Sequence, residues 1–179
     1  QARRLVAQGY KTLKAKIGRD IEADIDVLEA IRSEVGNEIT LRVDANMGWP
    51  SAKEAVRHIE EISVFDLELV EQPLPPDDIE GLRFVRERVD LPIMADESIW
   101  TPHDAMHCIR HQAVDVFNVY VSEAGGLGSA ARIFSIAEAA RLPCIIGSMP
   151  ELGIGTAAQA HLAFAMPNLG YASDVNGCV

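Results

Sequence analysis

Short apolar runs alternate with longer amphipathic segments along this sequence, and the ends of the short runs recur at a nearly constant interval. Seven of the short runs are typical of β-strands, and the last covers residues 170–175. The residues that close them lie 24 to 28 positions apart and are Lys16, Asp44, Glu71, Asp96, Tyr120, Gly147 and Asp174. Between them, apolar residues recur at the i, i+3, i+4 and i+7 positions of amphipathic helices. A (β/α)8 barrel has about 30 residues per strand–helix unit, so this period predicts a parallel barrel.

The polar strand ends distinguish a barrel from an open parallel sheet, which would show a similar alternation. An open doubly wound sheet does not usually place a polar residue at the carboxyl end of nearly every strand. In a barrel those ends converge on one mouth, where catalytic groups gather. We therefore predict an α/β fold, a partial TIM-type (β/α) barrel with strands 2 to 8 present. Because residues 2–10 are typical of a helix end, we expect residues 1–179 to be one catalytic barrel domain that is incomplete at its N-terminus.

Charge and composition restrict the partners of this chain. A net charge of −11 argues against nucleic acid, because a phosphate backbone is bound by clustered Lys and Arg. No run approaches the roughly 18 apolar residues that span a bilayer, and the N-terminus lacks the apolar core of a signal peptide. Cys108, Cys144 and Cys178 show no close metal-type spacing and indicate reduced thiols. We expect a cytoplasmic protein that binds neither nucleic acid nor membrane.

Three carboxylates, those of Asp44, Glu71 and Asp96, close three consecutive strands. At one barrel mouth they would repel one another strongly unless a cation lay among them. Any one of them alone would more often be a solvated acid or the cap of the next helix. Three in succession at the barrel period favour a metal site, and hard oxygen ligands suit Mg²⁺, with Mn²⁺ as the alternative.

Lys14 and Lys16 lie two positions apart in the first visible strand, so their side chains share one face, while Leu13, Ala15 and Ile17 form the other face. Two solvated lysines on an edge strand would also fit this pattern. A lysine beside a second ammonium and a metal ion, however, loses its proton more readily and can act as a general base. We therefore favour a catalytic role for this pair.

These motifs together resemble the muconate-lactonizing branch of the mandelate racemase/muconate lactonizing enzyme family, in the enolase superfamily. The resemblance covers essentially the whole chain and is carried by LKAKIG, VDAN with its trailing GW, VEQPL, ADES, EAGG and GSMPELGIGTAA. It implies Mg²⁺ ligands at the three strand-end carboxylates, an acid/base lysine at Lys16 and an electrostatic partner at Lys14. It also implies that a first barrel strand and an α+β capping domain are missing, and that the full-length protein is a homo-oligomer.

The shared reaction of this family is removal of the proton α to a carboxylate of a small-molecule substrate, which gives an enediolate that the metal stabilises. One departure bears on the fate of that intermediate, because Tyr120 stands where this branch normally has a second acid/base lysine. Tyrosine is a poor base but a reasonable acid, with a reference pKa of about 10. We therefore expect β-elimination of water, by an acid or hydroxy amino acid dehydratase. The alternatives are a racemase, epimerase or cycloisomerase of the same superfamily and, in another class, an inert barrel fragment or binding protein.

Several further residues are weaker candidates. Asp174 closes the last predicted strand, where the family often has an acidic residue that hydrogen-bonds the substrate. Asn46 follows the first predicted ligand by two positions and is a second candidate for substrate contact. Tyr120 also fits a substrate-orienting or merely packed phenol. The glycines near position 154 could cradle an anion, but a plain loop-to-helix turn is the favoured interpretation.

Overall fold

Strands and helices alternate along the computed structural model, which describes residues 1–175. The six strands in those residues are β1 Thr12–Lys16, β2 Thr40–Asp44, β3 Leu67–Glu71, β4 Ile93–Ala95, β5 Val116–Tyr120 and β6 Cys144–Gly147. The seven α-helices described are α1 Ala2–Ala7, α2 Ile21–Val35, α3 Ala52–Ile62, α4 Ile79–Arg86, α5 Pro102–His111, α6 Leu127–Ala139 and α7 Gly153–Ala165. A short 3-10 turn, Ser63–Phe65, follows α3.

The parallel strands lie in the sheet in chain order, from β1 to β6. Each is joined to the next by a helix, which is the α/β arrangement of a TIM-type barrel. The predicted fold class is therefore confirmed. Five of the predicted closing residues are the last residues of their strands, and Asp96 follows the end of β4 directly.

The chain divides into two compact units, Gln1–Ile93 and Met94–Val179. In the first unit, the strand register pairs Lys16 with Asp44 and Asp44 with Glu71, so three charged residues occupy neighbouring strand ends. In the second unit, the register pairs Tyr120 with Gly147. Lateral pairing within each unit thus gathers residues that lie about 27 positions apart in sequence.

Residues 170–175, predicted as the last strand, form no regular strand in the structure. The segment lies beside β6 through separate hydrogen bonds, one of which runs from the Asp174 N–H to the Ile146 carbonyl at 2.8 Å. The Ile146 N–H donates to the Ser173 hydroxyl at 3.1 Å. Because a side-chain oxygen takes the place of a main-chain acceptor, a continuous ladder is not formed. The strand prediction is wrong here, although the segment lies along β6.

Helix starts coincide with the capping residues in the sequence. At α5, the Thr101 hydroxyl accepts the Asp104 N–H at 3.2 Å, and the Asp104 carboxylate accepts the Thr101 N–H at 2.8 Å. Pro102 occupies the first helical position, where its missing N–H leaves no bond unmade. A Thr followed by Pro is a sequence pattern typical of a helix start, and α5 begins at this pair. None of the helices in residues 1–175 combines the length and the hydropathy needed to cross a membrane.

The two cysteines in the described part of the chain are free thiols inside the second unit. Both Cys108 and Cys144 are buried, and burial raises the pKa of each thiol to about 12. Cys144 lies in β6 and packs as a small apolar residue. Cys178, the third predicted thiol, lies outside the described residues.

Candidate active-site residues at the strand ends

Two lysines and two carboxylates meet at the carboxyl ends of β1, β2 and β3. Lys14 Nζ lies 3.0 Å from Glu71 Oε2 and 3.4 Å from Asp44 Oδ2. Lys16 Nζ lies 2.5 Å from the same Asp44 oxygen. The side chains of Asp44 and Glu71 are fully buried. Burying a carboxylate is unfavourable unless a cation accompanies it, and the two ammonium groups supply that cation.

Strand geometry explains why both lysines reach these carboxylates. Leu13, Ala15 and Ile17 are buried on one face of the β1 segment, so Lys14 and Lys16 share the opposite face, as predicted. The two lysines differ in exposure, since the side chain of Lys14 is 17% exposed and that of Lys16 is 61% exposed. Lys14 is therefore enclosed between two carboxylates, whereas Lys16 has one carboxylate contact and faces solvent.

Asn46 joins the lysine end of β1 to the acidic end of β2. Its Oδ1 atom accepts a hydrogen bond from Lys16 Nζ at 2.7 Å, and its N–H donates to Asp44 Oδ1 at 2.9 Å. The backbone there is left-handed, with φ of 41°, a conformation that Asn tolerates better than most residues. Asn46 thus orients both the lysine and the carboxylate. Its predicted contact with substrate stays a prediction.

The loop after β1 is anchored by Asp24, a residue that the sequence pattern placed in α2 without a role. Asp24 is 7% exposed, and its Oδ2 atom accepts the Gly18 N–H at 2.8 Å. Burial raises the pKa of Asp24, while the hydrogen bond from Gly18 and the nearby His58 partly oppose this effect. Gly18 has φ of +102°, and a β-carbon there would lie 2.5 Å from the Ala45 carbonyl oxygen. The sequence offered one signal for this role of Asp24. The residue lies four positions before Leu28, and therefore on the apolar side of α2, where a charged side chain is unusual.

In the second unit, Tyr120 and Asp96 come together. The Tyr120 hydroxyl lies 3.4 Å from Asp96 Oδ2, and Asp96 is buried. Gly147 is the neighbour of Tyr120 on β6, and the side chain of Asn118 shares the Tyr120 face of β5 because the two residues are two positions apart. Tyr120, the residue that stands in place of a second lysine, therefore contacts Asp96, a predicted metal ligand.

The three carboxylates predicted as metal ligands, those of Asp44 and Glu71 in the first unit and of Asp96 in the second, are all buried. The donor set fits Mg²⁺, because it offers only hard oxygen atoms and leaves coordination positions for water or substrate. In the first unit, the ammonium groups of Lys14 and Lys16 already offset part of the negative charge of Asp44 and Glu71.

The remaining candidates lie near the end of the second unit. Asp174 is half-buried and donates its main-chain N–H to Ile146, and its predicted substrate contact stays a prediction. Gly153 and Gly155 lie in the first turn of α7, as the favoured loop-to-helix interpretation requires. The Glu151 carboxylate accepts the Met149 N–H at 3.1 Å, so the preceding loop already provides its own anion.

Parallel strands in chain order that end in buried carboxylates, with two lysines beside them, are typical of a catalytic (β/α) barrel. The chain belongs to the enolase C-terminal domain-like family, whose model matches residues 1–178. The family resemblance predicted from the motifs is thereby confirmed.

The curated relatives most similar to this chain include two epimerases. The chain is 44% identical over 165 residues to the hydrophobic dipeptide epimerase of Enterococcus faecalis. The matched region covers 92% of this chain and 46% of the relative. It is 41% identical over 171 residues to the L-Ala-D/L-Glu epimerase of Bacillus subtilis, covering 94% of this chain and 46% of the relative. The chain therefore spans about half the length of the curated relatives it matches.

A solved structure shows the same fold at high similarity. The crystal structure of the dipeptide epimerase from Enterococcus faecalis V583, complexed with Mg and the dipeptide L-Leu-L-Tyr, superposes with a TM-score of 0.92 at 43% identity. The match covers 96% of this chain and 49% of that one.

Proposed function

We propose that the protein containing this chain is a Mg²⁺-dependent epimerase, which removes and returns the proton α to the carboxylate of a dipeptide or similar N-acyl amino acid. The observation that carries this proposal is the cluster of Lys14 and Lys16 against the buried carboxylates of Asp44 and Glu71. It places a solvent-facing amine beside a site of hard oxygen ligands. α-Proton abstraction needs these two features, a general base and a site for a cation that stabilises the resulting negative charge.

In this proposal the carboxylates of Asp44, Glu71 and Asp96 hold the ion. When bound, Mg²⁺ offsets the negative charge that develops on the substrate carboxylate as the α-proton leaves. Lys16 takes the proton as general base, and its contacts with Asp44 and Asn46 fix the direction of its amine.

The other candidate residues support the same reaction. Lys14 lies between two buried carboxylates and contributes positive charge beside the reacting centre. We propose that the Tyr120 hydroxyl takes part in the second proton transfer, at the strand end where the family normally has a second lysine. Asp174 and Asn46 are the proposed substrate contacts.

The relatives favour epimerisation over the β-elimination expected from the sequence. The two curated relatives are named as epimerases, and the structure from Enterococcus faecalis holds Mg together with a dipeptide. Tyr120 suggested elimination because a phenol can protonate a leaving hydroxyl. The same phenol can also donate a proton to the α-carbon, as epimerisation requires. Tyr120 by itself therefore does not distinguish epimerisation from β-elimination.

The test is a proton-exchange assay on the full-length protein with Mg²⁺ in D₂O. The panel contains hydrophobic L,L-dipeptides, L-Ala-L-Glu, N-succinyl amino acids and dipeptides with a β-hydroxyl group. NMR follows loss of the α-proton, and chiral chromatography identifies the product. Lys16→Ala is compared with Lys11→Ala, a matched change at an exposed lysine just before β1.

Exchange with inversion that needs Mg²⁺ and Lys16, but not Lys11, is the expected result. Loss of water from the β-hydroxy dipeptides without inversion would instead support a dehydratase. An absence of exchange on every substrate, with no Mg²⁺ binding by calorimetry, would refute enolate chemistry and leave a binding protein.

The cytoplasmic location and the homo-oligomeric state of the full-length protein stay predictions. Light scattering after gel filtration tests the oligomeric state.

A further inference from the structure

Gly147, at the end of β6, is a glycine because of its surroundings. A β-carbon at this position would lie 2.2 Å from Cε2 and 2.5 Å from Cζ of Tyr120, and 2.4 Å from Oδ1 of Asn118. Carbon atoms do not approach ring or oxygen atoms this closely without displacing them. The backbone itself does not demand glycine, since Gly147 is absent from the residues with positive φ among those described. The requirement therefore comes from the space that the tyrosine ring occupies.

The strand register explains this packing. Tyr120 and Gly147 are direct partners across β5 and β6. The ring of Tyr120 leans over Gly147, and its hydroxyl lies 3.4 Å from Asp96 Oδ2. Asn118 is buried on the same face of β5, and its Oδ1 atom lies 2.4 Å from the position of that β-carbon. The ring that occupies the space over Gly147 is thus the one whose hydroxyl lies beside Asp96.

We infer that Gly147 is a positioning residue for Tyr120 and that the pair acts as one unit, which holds the tyrosine hydroxyl beside Asp96 for turnover. This inference rests on the proposed epimerase function. A methyl group at position 147 would push the ring out of its place, whereas with a small residue at position 120 only the contact between this methyl group and Asn118 would remain. The effects of substitutions at positions 147 and 120 are therefore coupled: the added methyl group is expected to do more damage when the tyrosine ring is present than when it is absent.

The test is a double-mutant cycle on the full-length protein with Gly147→Ala, Tyr120→Ala and the double substitution. Each variant is assayed for kcat and KM of α-proton exchange, for the Kd of Mg²⁺ by calorimetry and for the midpoint of thermal unfolding. Asn118 is unchanged in all proteins, so its contact with the added methyl group is common to both backgrounds. Tyr120→Phe, which keeps the ring and removes the hydroxyl, reports the effect of losing the hydroxyl alone.

We expect Gly147→Ala to lower kcat at least tenfold when Tyr120 is present, with KM changed less than threefold. In the Tyr120→Ala background, where only the contact with Asn118 remains, we expect a smaller fractional loss of kcat than in the Tyr120 protein. The unfolding midpoint is expected to fall further in the Tyr120 protein than in the Tyr120→Ala background. Equal losses of kcat and of the midpoint in the two backgrounds would overturn the inference. If the parent protein shows no exchange, the proposed function fails, and the unfolding midpoints still test the coupling.

Discussion

Lys14 is expected to be the more important of the two lysines for stability, although both contact the same carboxylate. Lys14→Met keeps a side chain of similar length and removes the ammonium group from two fully buried carboxylates. We predict that this change lowers the free energy of unfolding by about 3 to 5 kcal/mol without metal, the usual cost of removing one partner of a buried ion pair. Lys16→Met is the matched control, for which we expect a loss below about 1 kcal/mol.

The magnitude is set by the contacts. At separations of 3.0 Å and 3.4 Å, each attraction amounts to about 5 kcal/mol at an effective dielectric constant of about 20. Part of this attraction is offset because the lysine no longer has to be desolvated, which leaves the smaller net figure. Lys16 lies closer still to Asp44, but its side chain is 61% exposed, so water screens the attraction.

The assay is urea unfolding of the full-length protein followed by circular dichroism, in EDTA and again with saturating Mg²⁺. If the carboxylates hold Mg²⁺ as proposed, the ion replaces part of the lost positive charge, and the deficit of Lys14→Met shrinks when it is added. Equal stability of Lys14→Met and Lys16→Met in EDTA would refute the reasoning from burial. A deficit that Mg²⁺ does not change would argue against metal binding by these carboxylates.

Three further predictions concern pH, capping and thiol reactivity. Because the folded protein raises the pKa of Asp24, its ionisation destabilises the fold as pH rises from the unfolded value, about 3.9, through the folded pKa. Asp24→Asn should therefore gain stability relative to the parent between pH 3 and pH 7, and a constant difference in urea titrations would contradict this. Thr101→Ala removes the cap of α5 and should cost about 1 kcal/mol, whereas no change in the same assay would show that the cap is dispensable. With Cys178→Ser in place, the two buried thiols of this chain should not react with a thiol reagent at pH 8 in the native protein and should become reactive once it is unfolded. The two buried residues concerned are Cys108 and Cys144.

The sequence by itself determined which residues stand at the strand ends. Parallel strands joined by helices bring their carboxyl ends to the same side, so the period of the pattern was enough to select Lys16, Asp44 and Glu71. The alternation of strand side chains placed Lys14 and Lys16 on one face, and the Thr101-Pro102 pair marked a helix start. These features depend on spacing along the chain, which the sequence shows directly.

Only the tertiary structure decided how side chains from different segments meet. Asp24 accepts a hydrogen bond from Gly18 in the loop after β1. Ser173 accepts one from Ile146 where a last strand was expected. Both contacts depend on atoms that only packing brings together. The fit of the Tyr120 ring over Gly147 depends on lateral register between two strands separated by a helix. Periodic patterns report the burial of each segment and its direction. They do not report the distances between segments, which are fixed only when the whole core is packed.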